Sequence, residues 1–386
     1  LTRQQPNHKF KPAKAAANTL SHESLQWSLD LKAIQDTLPK SGLKLPYFGK
    51  KSSSYVADLH LEWQQRFDNV TLSFDHVLQW NGGDVISWSR SIYGAYGAPE
   101  LRSLDDRPRK FDLTSELTDG DRYRLHSHFR ELMVRWEGQQ WNAGMGRDAI
   151  NWGTGIVFHP MGLFNPLPPL HVNGDDQIGQ DHIMIERFWR RDASPTHSLS
   201  FWHIDRRNAP GKASSEDVST TALKWHLRSE DYAFGLTAAQ HYDAAFLGVE
   251  ATREFSGIAV SSNLTLRERD SRYSDSSWGL IGVINARMNV PTLTTLTASV
   301  FVEFFHNDFG LRDMPNSYTS LPLDLGYQLT RQEAYTFMRD YIAVGGDLGW
   351  ADSITQNVSL ITNLHDRSLA VKAEFSYAFQ DYMRLQ

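Results

Sequence analysis

The sequence contains no cysteine. That excludes disulfides, thiolate metal centres, a thiol nucleophile and covalently attached haem of the C-x-x-C-H type. It also has no run approaching the ~20 apolar residues a membrane helix needs, and its mean hydropathy is -0.46. Charge of neither sign is in large excess. With a net charge of -6 and an isoelectric point of about 6.2, no global basic field draws nucleic acid or an anionic membrane surface. Residues 1–20 carry no apolar stretch of the signal-peptide kind and the numbering starts at Leu1, so a mature chain is expected.

What is plentiful is aromatic residues, 12 Trp, 14 Tyr and 20 Phe, set in alternating segments. Leu25, Trp27, Leu29 and Leu31 point one way; Gln26, Ser28, Asp30 and Lys32 point the other. The segments 55–63 and 71–79 repeat the pattern, with His76 on the apolar side. Period-two segments of about ten residues suit tilted strands that cross a bilayer. A hydrophilic average with many aromatics is what a barrel gives when polar lumen-facing residues alternate with lipid-facing apolar ones.

The connectors sharpen this. Tight turns at 67–70, 137–139, 192–196, 229–231, 254–257, 289–292 and 351–353 alternate with mostly longer connections at 34–53, 81–121, 148–181, 206–218, 269–277 and 306–333. Long connections kept to one end predict an all-β fold: a transmembrane antiparallel β-barrel of about 16 strands, with 14 or 18 as alternatives. Both termini then lie on the short-turn side, which in a Gram-negative outer membrane is periplasmic. The expected organisation is a polar N-terminal arm over 1–20, the barrel over 21–379 and a short tail over 380–386.

One stretch departs from alternation. Residues 141–169 begin as a strand, with Trp141, Ala143 and Met145 opposite Asn142, Gly144 and Gly146, and continue as a long aromatic, Gly- and Pro-rich loop. Such a loop is expected to fold against the inside of the wall, where inward glycines leave room for it, so that 148–181 narrows the pore. The stretch also resembles a motif of Gram-negative outer-membrane porin-like barrels, at Gly146, Arg147, Trp152, Gly153, Phe164, Asn165 and Pro166. The motif occurs in alginate-export-like families and resembles the barrel subunit of porin-cytochrome conduits. The resemblance implies a passive channel for small polar or charged solutes. As the alternative it implies a structural sheath for a multihaem cytochrome or lipoprotein partner in an electron conduit. The last strand, LAVKAEFSYAF, resembles the C-terminal strand of outer-membrane proteins, although DYMRLQ follows Phe379.

If apolar faces meet lipid, the opposite faces line the pore. They supply Arg122, Arg124, His126, His128, Arg130, Lys224, His226, Arg228, Arg267 and Arg287 as a basic set. Asp30, Asp58, Glu62, Asp75 and Glu374 form an acidic one, with Lys32 and Lys372 as exceptions. A basic row at Arg122, Arg124 and Arg130 facing Asp58, Glu62 and Asp75 would set a transverse field and the selectivity of the pore. The constriction loop adds Arg147, Asp148, Asn151, Trp152, His159, Asn165, His171, Asp175 and Asp176. Arg147 falls on outward parity, so a strand end or a bulge must turn it inward, where it can anchor the loop to an acidic wall residue.

Other chemistry is weaker. Asp175 and Asp176 lack the spaced ligands and terminal Glu of a calcium loop. His126 and His128 share a face at strand spacing and could bind metal or touch a haem edge, but read more simply as solvated lumen residues. Outward His76 has no serine placed beside it by spacing, so no hydrolase is expected. No enzyme, cofactor or metal is expected. The partners are outer-membrane lipid and lipopolysaccharide, with no nucleic acid.

Overall fold

The computed structural model describes residues 23–37, 51–84, 86–87, 106, 109–164, 178–189, 195–207, 218–269, 277–291, 296–313, 321–331, 333–350, 354–379 and 383–385. The N-terminal arm, Asn165, Pro166, His171, Asp175 and Asp176 lie outside them, as does the side chain of Lys32.

The strands are β1 (Glu23–Thr37), β2 (Lys51–Phe67), β3 (Val70–Gly83), β4 (Thr114–Asp119), β5 (Tyr123–Glu137), β6 (Trp141–Asp148), β7 (Gln180–Trp189), β8 (Thr196–Ile204), β9 (Thr220–Arg228), β10 (Tyr232–His241), β11 (Ala244–Phe255), β12 (Ile258–Glu268), β13 (Trp278–Val290), β14 (Leu296–Asn307), β15 (Asp340–Trp350), β16 (Ile354–Asn363), β17 (Leu369–Phe379) and β18 (Met383–Leu385). A helix, α1 (Leu323–Thr330), precedes β15.

Among the described residues, leaving out β4 and β18, the two shortest, sixteen strands follow one another antiparallel around the wall, so the strand number roughly fits the expected 16. Short turns and mostly longer connections alternate between its two ends. At the seam, β18 lies between β1 and β17, parallel to the first and antiparallel to the second over three residues each. β4 pairs with β5 from Thr114 opposite His128 to Asp119 opposite Arg124, on the edge that β6 leaves when it ends at Asp148.

The wall is polar inside and apolar outside. Leu25, Tyr55, Met145, Leu223, Leu264, Val302 and Val371, spread over seven strands, are all exposed. Asp58, Thr237, Asn263, Glu303 and Asn307 on the opposite faces are buried. A continuous apolar belt of this extent is the lipid face of a transmembrane barrel, where ladder pairing leaves few backbone groups to be satisfied by hydrocarbon.

The lumen holds an apolar core of its own. Ile150, Trp152, Met161, Leu163 and Phe164 pack with Ile204, Ala222 and Phe246 of the wall. Val157 and Phe158 pack with Val283, Phe301, Phe305, Ala343 and Ile361. Both clusters form because inward wall positions that would be polar in an empty barrel are aromatic or aliphatic where the loop 149–164 lies.

Candidate functional site: a pinned loop across the lumen

Two local irregularities position the loop. In β5 the register shifts opposite Asp75 and His76, leaving Arg130 as the extra residue between Phe129 and Glu131. Inward positions are therefore Arg124, His126 and His128 above the bulge and Glu131, Met133 and Arg135 below it. In β6 the second irregularity is Gly146, at φ 138°. A Cβ there would meet the Leu132 carbonyl oxygen at 2.1 Å, so only glycine fits. This kink reverses parity and turns Arg147 inward, as the sequence required. Gly146→Ala is expected to abolish assembly of the heat-modifiable barrel, by a clash on backbone rather than on a movable side chain; normal yield of folded Gly146→Ala in detergent would contradict this.

Arg147 is 1% exposed and meets two carboxylates. Nε and Nη2 donate to Asp181 at 2.8 and 3.1 Å, Nη1 donates to both oxygens of Asp106 at 2.9 Å, and Nη2 also reaches the Phe111 carbonyl at 2.9 Å. Asp106 further accepts from the Leu113 amide at 2.6 Å and the Thr114 hydroxyl at 3.0 Å. Arg109 donates to the Gly179 carbonyl at 2.8 Å and lies 3.4 Å from Asp106. Burial lowers its guanidinium pKa to about 10, against the pull of Asp106. This buried network clips the connection between β3 and β5 to both ends of the constriction loop.

From there the loop crosses the lumen. β6 and β14 lie eight strands apart around a sixteen-strand wall, so Glu303 of β14 faces the loop from the far side. Its carboxylate, 0% exposed, accepts the backbone N–H groups of Ile156, Val157 and Phe158 at 2.6, 2.8 and 2.8 Å, and the Asn285 amide at 3.1 Å. Asn285 also donates to the Thr154 carbonyl at 3.0 Å, and Asn263 Oδ1 accepts the Thr154 amide at 3.3 Å. Phe158 stacks on Phe305 with ring centroids 4.5 Å apart; Trp152 packs edge-on to Phe164 at 4.8 Å. Three convergent amides and a charged acceptor form a strong, directional anchor.

A second connection also turns in. After α1, Glu333 reaches Arg267 at 2.5 Å and His241 at 3.1 Å. Burial alone would raise the Glu333 carboxyl, but Arg267, then His241 and Arg331, hold it well below the ordinary carboxylate range. Residues 328 and 333–336 meet 158–160, 162 and 163 across an open cleft, lined by Phe246, Arg267 and Phe305 among others.

His159, in the same cleft, is pushed down to about 4 by burial. An unfolded histidine takes its proton near 6.5, so the native state loses stability as pH falls from 6.5 to about 4. The Glu333 contribution is present above the ordinary carboxylate value and is lost only below it. His159→Asn is therefore expected to lessen the fall in unfolding temperature between pH 6.5 and 4 by removing one such contribution; profiles of variant and wild type that superimpose would contradict this.

The charges pair laterally. β2, β3 and β5 are neighbours, so Arg130 of β5 bonds Asp75 of β3 directly, with Nε to Oδ2 at 2.7 Å, and Arg124 bonds Asp119 at 2.7 Å. The expected opposition of Arg122, Arg124 and Arg130 to Asp58, Glu62 and Asp75 across the pore is thus corrected. Alternation gives the face of a strand but not its place around the ring. Arg122 precedes β5 at the rim, 69% exposed and 2.6 Å from Asp84. Lys224 bonds Glu250 at 2.8 Å beneath Trp152, and His226 lies near the same Glu; Arg228 is exposed at the strand end. Arg287 pairs with Asp347, and Lys372 with Glu374. Asp148 bonds Arg135 at 2.5 Å, while Asn151 is exposed.

A second correction concerns the outer face. Ser127 of β5 places its Oγ 2.8 Å from His76 Nε2, which spacing within either strand alone could not reveal.

Glu303, Asp106, Arg109, Asp181, Asn263 and Glu333 were not expected from the sequence. For Glu303 a signal existed: it shares an inward face with Phe301 and Phe305, which an empty polar lumen would not require.

No family model and no curated protein matches the sequence. Among solved structures, OprB of Pseudomonas putida is 9% identical, covers 92% of this chain and 93% of its own, and gives a TM-score of 0.48. OmpF of Salmonella typhi, in complex with daunomycin, is 9% identical over 92% of this chain and 97% of its own, also at 0.48. A variant of the Rh. blastica porin is 10% identical over 93% of this chain and 100% of its own, at 0.46. These are bacterial porins to which this chain is similar in outline, and at that level of likeness function has to come from the lumen's own geometry.

Proposed function

We propose that the chain is an integral outer-membrane channel for passive passage of small polar or charged solutes, its pore narrowed by the connection 148–181 and its termini periplasmic. The observation that carries this reading is the loop held across the lumen by Glu303 while part of the inner wall stays wet. Inward side chains clear of the loop keep solvent contact, 37% for Asp347, 29% for Arg287 and 21% for Glu374, against 0% for Glu303. Water and hydrated solutes pass along that strip, through paired charges that orient polar molecules and reject apolar ones. The resemblance around Gly146, Arg147, Trp152 and Phe164 fits the same reading.

A sheath for a multihaem cytochrome or lipoprotein needs a cleared lumen, and two inward connections occupy this one. The apolar belt takes membrane lipid and lipopolysaccharide as its partners. Detergent-purified protein in a planar bilayer is expected to give discrete current steps, with modest ion selectivity from the reversal potential in a salt gradient. Silence from a folded, heat-modifiable barrel would sink the channel reading.

A further inference from the structure

The inner faces of β1, β2 and β3 crowd carboxylates around one imidazole. Asp30 lies directly opposite Asp58, and Glu62 directly opposite Asp75. Like charges so placed destabilise a sheet unless a cation lies between them. Arg130 bonds only Oδ2 of Asp75; Oδ1 is buried with no hydrogen bond. Facing it at 3.7 Å is Nδ1 of His60, and Nε2 of the same ring lies 3.6 Å from Asp30. His60 is 3% exposed and neither ring nitrogen makes a hydrogen bond. Both ring nitrogens of His60 and Oδ1 of Asp75 are thus buried without a hydrogen bond, beside the carboxylate of Glu62.

We propose that His60, Glu62 and Asp75 bind a divalent transition-metal cation of the zinc class in the lumen wall. One ligand atom from each of the three lies within 4.8 Å of the others. Two ligands each ~2.1 Å from a tetrahedral zinc are roughly 3.4 Å apart, close to the separation of His60 and Asp75. One imidazole with two carboxylates favours zinc or its neighbours over calcium, which takes oxygen ligands alone. Glu62 is exposed to the lumen, so the ion enters from the pore and leaves the fourth position to water. The site stands whether or not the barrel conducts.

The test is calorimetric titration of zinc chloride into the chelator-treated, detergent-purified full chain, beside His60→Gln and Glu62→Gln. One zinc per chain is expected in wild type, with affinity about tenfold or more weaker in either variant. No uptake by wild type would overturn the proposal. Uptake unchanged in both variants would also overturn it, placing zinc on other histidines. Should His60→Gln fail to fold, exposed Glu62→Gln and the zinc absorption edge of wild type decide. One imidazole among oxygens supports the site; two or more imidazoles refute it.

Discussion

Arg147→Ala is expected to destabilise the barrel by ~3–5 kcal/mol, the usual cost of removing one partner from a buried, hydrogen-bonded ion cluster. The guanidinium is 1% exposed and bridges Asp106 and Asp181. In its absence Asp106 keeps Arg109, but Asp181 keeps, among the described residues, only the Phe111 amide as a hydrogen-bond donor, at 2.8 Å. A buried carboxylate with a single neutral donor is costly. Arg147→Lys restores one charge but not the fork that meets two acids at once, so an intermediate loss is expected. Resistance to unfolding by heat in detergent, followed by gel mobility, gives the order wild type, Arg147→Lys, Arg147→Ala. An Arg147→Ala barrel as stable as wild type would show that the cluster holds nothing together.

Glu303→Ala is expected to act on the pore more than on the wall. Truncation leaves the amides of Ile156, Val157 and Phe158 buried without an acceptor, at ~1–3 kcal/mol for each group left unsatisfied. Losing even ~3 kcal/mol shifts the balance between a docked and a released loop by roughly a hundredfold. The stack of Phe158 on Phe305 remains, so release is partial, and the expected signature is a larger unitary conductance with added open-state noise. Glu303→Gln keeps one acceptor oxygen but turns an amide donor towards backbone N–H groups, so it should resemble Glu303→Ala. Unchanged conductance in both variants would mean that the loop does not border the conducting path.

The wall was legible because alternation and turn spacing are local signals: Leu25, Trp27 and Leu31 declare their outward face within one strand. Even the inward turn of Arg147 could be read, since a charge at outward parity beside Gly146 demands a kink. What could not be read is anything that depends on which strands are neighbours around the ring. Arg130 and Asp75 looked like opposing walls and are adjacent, because β4 and the long connection separate β3 from β5 in sequence and not in space. Ser127 beside His76 was hidden for the same reason. Glu303 is 145 residues or more from the amides it binds, and no sequence period links them.

The central claim is a conducting lumen narrowed by a pinned loop, and swelling of proteoliposomes in a graded series of uncharged polar solutes tests it most directly. Wild type is predicted to admit small solutes up to a size limit that Glu303→Ala raises. No swelling of wild-type vesicles containing folded barrel, or one limit shared by both proteins, would contradict it.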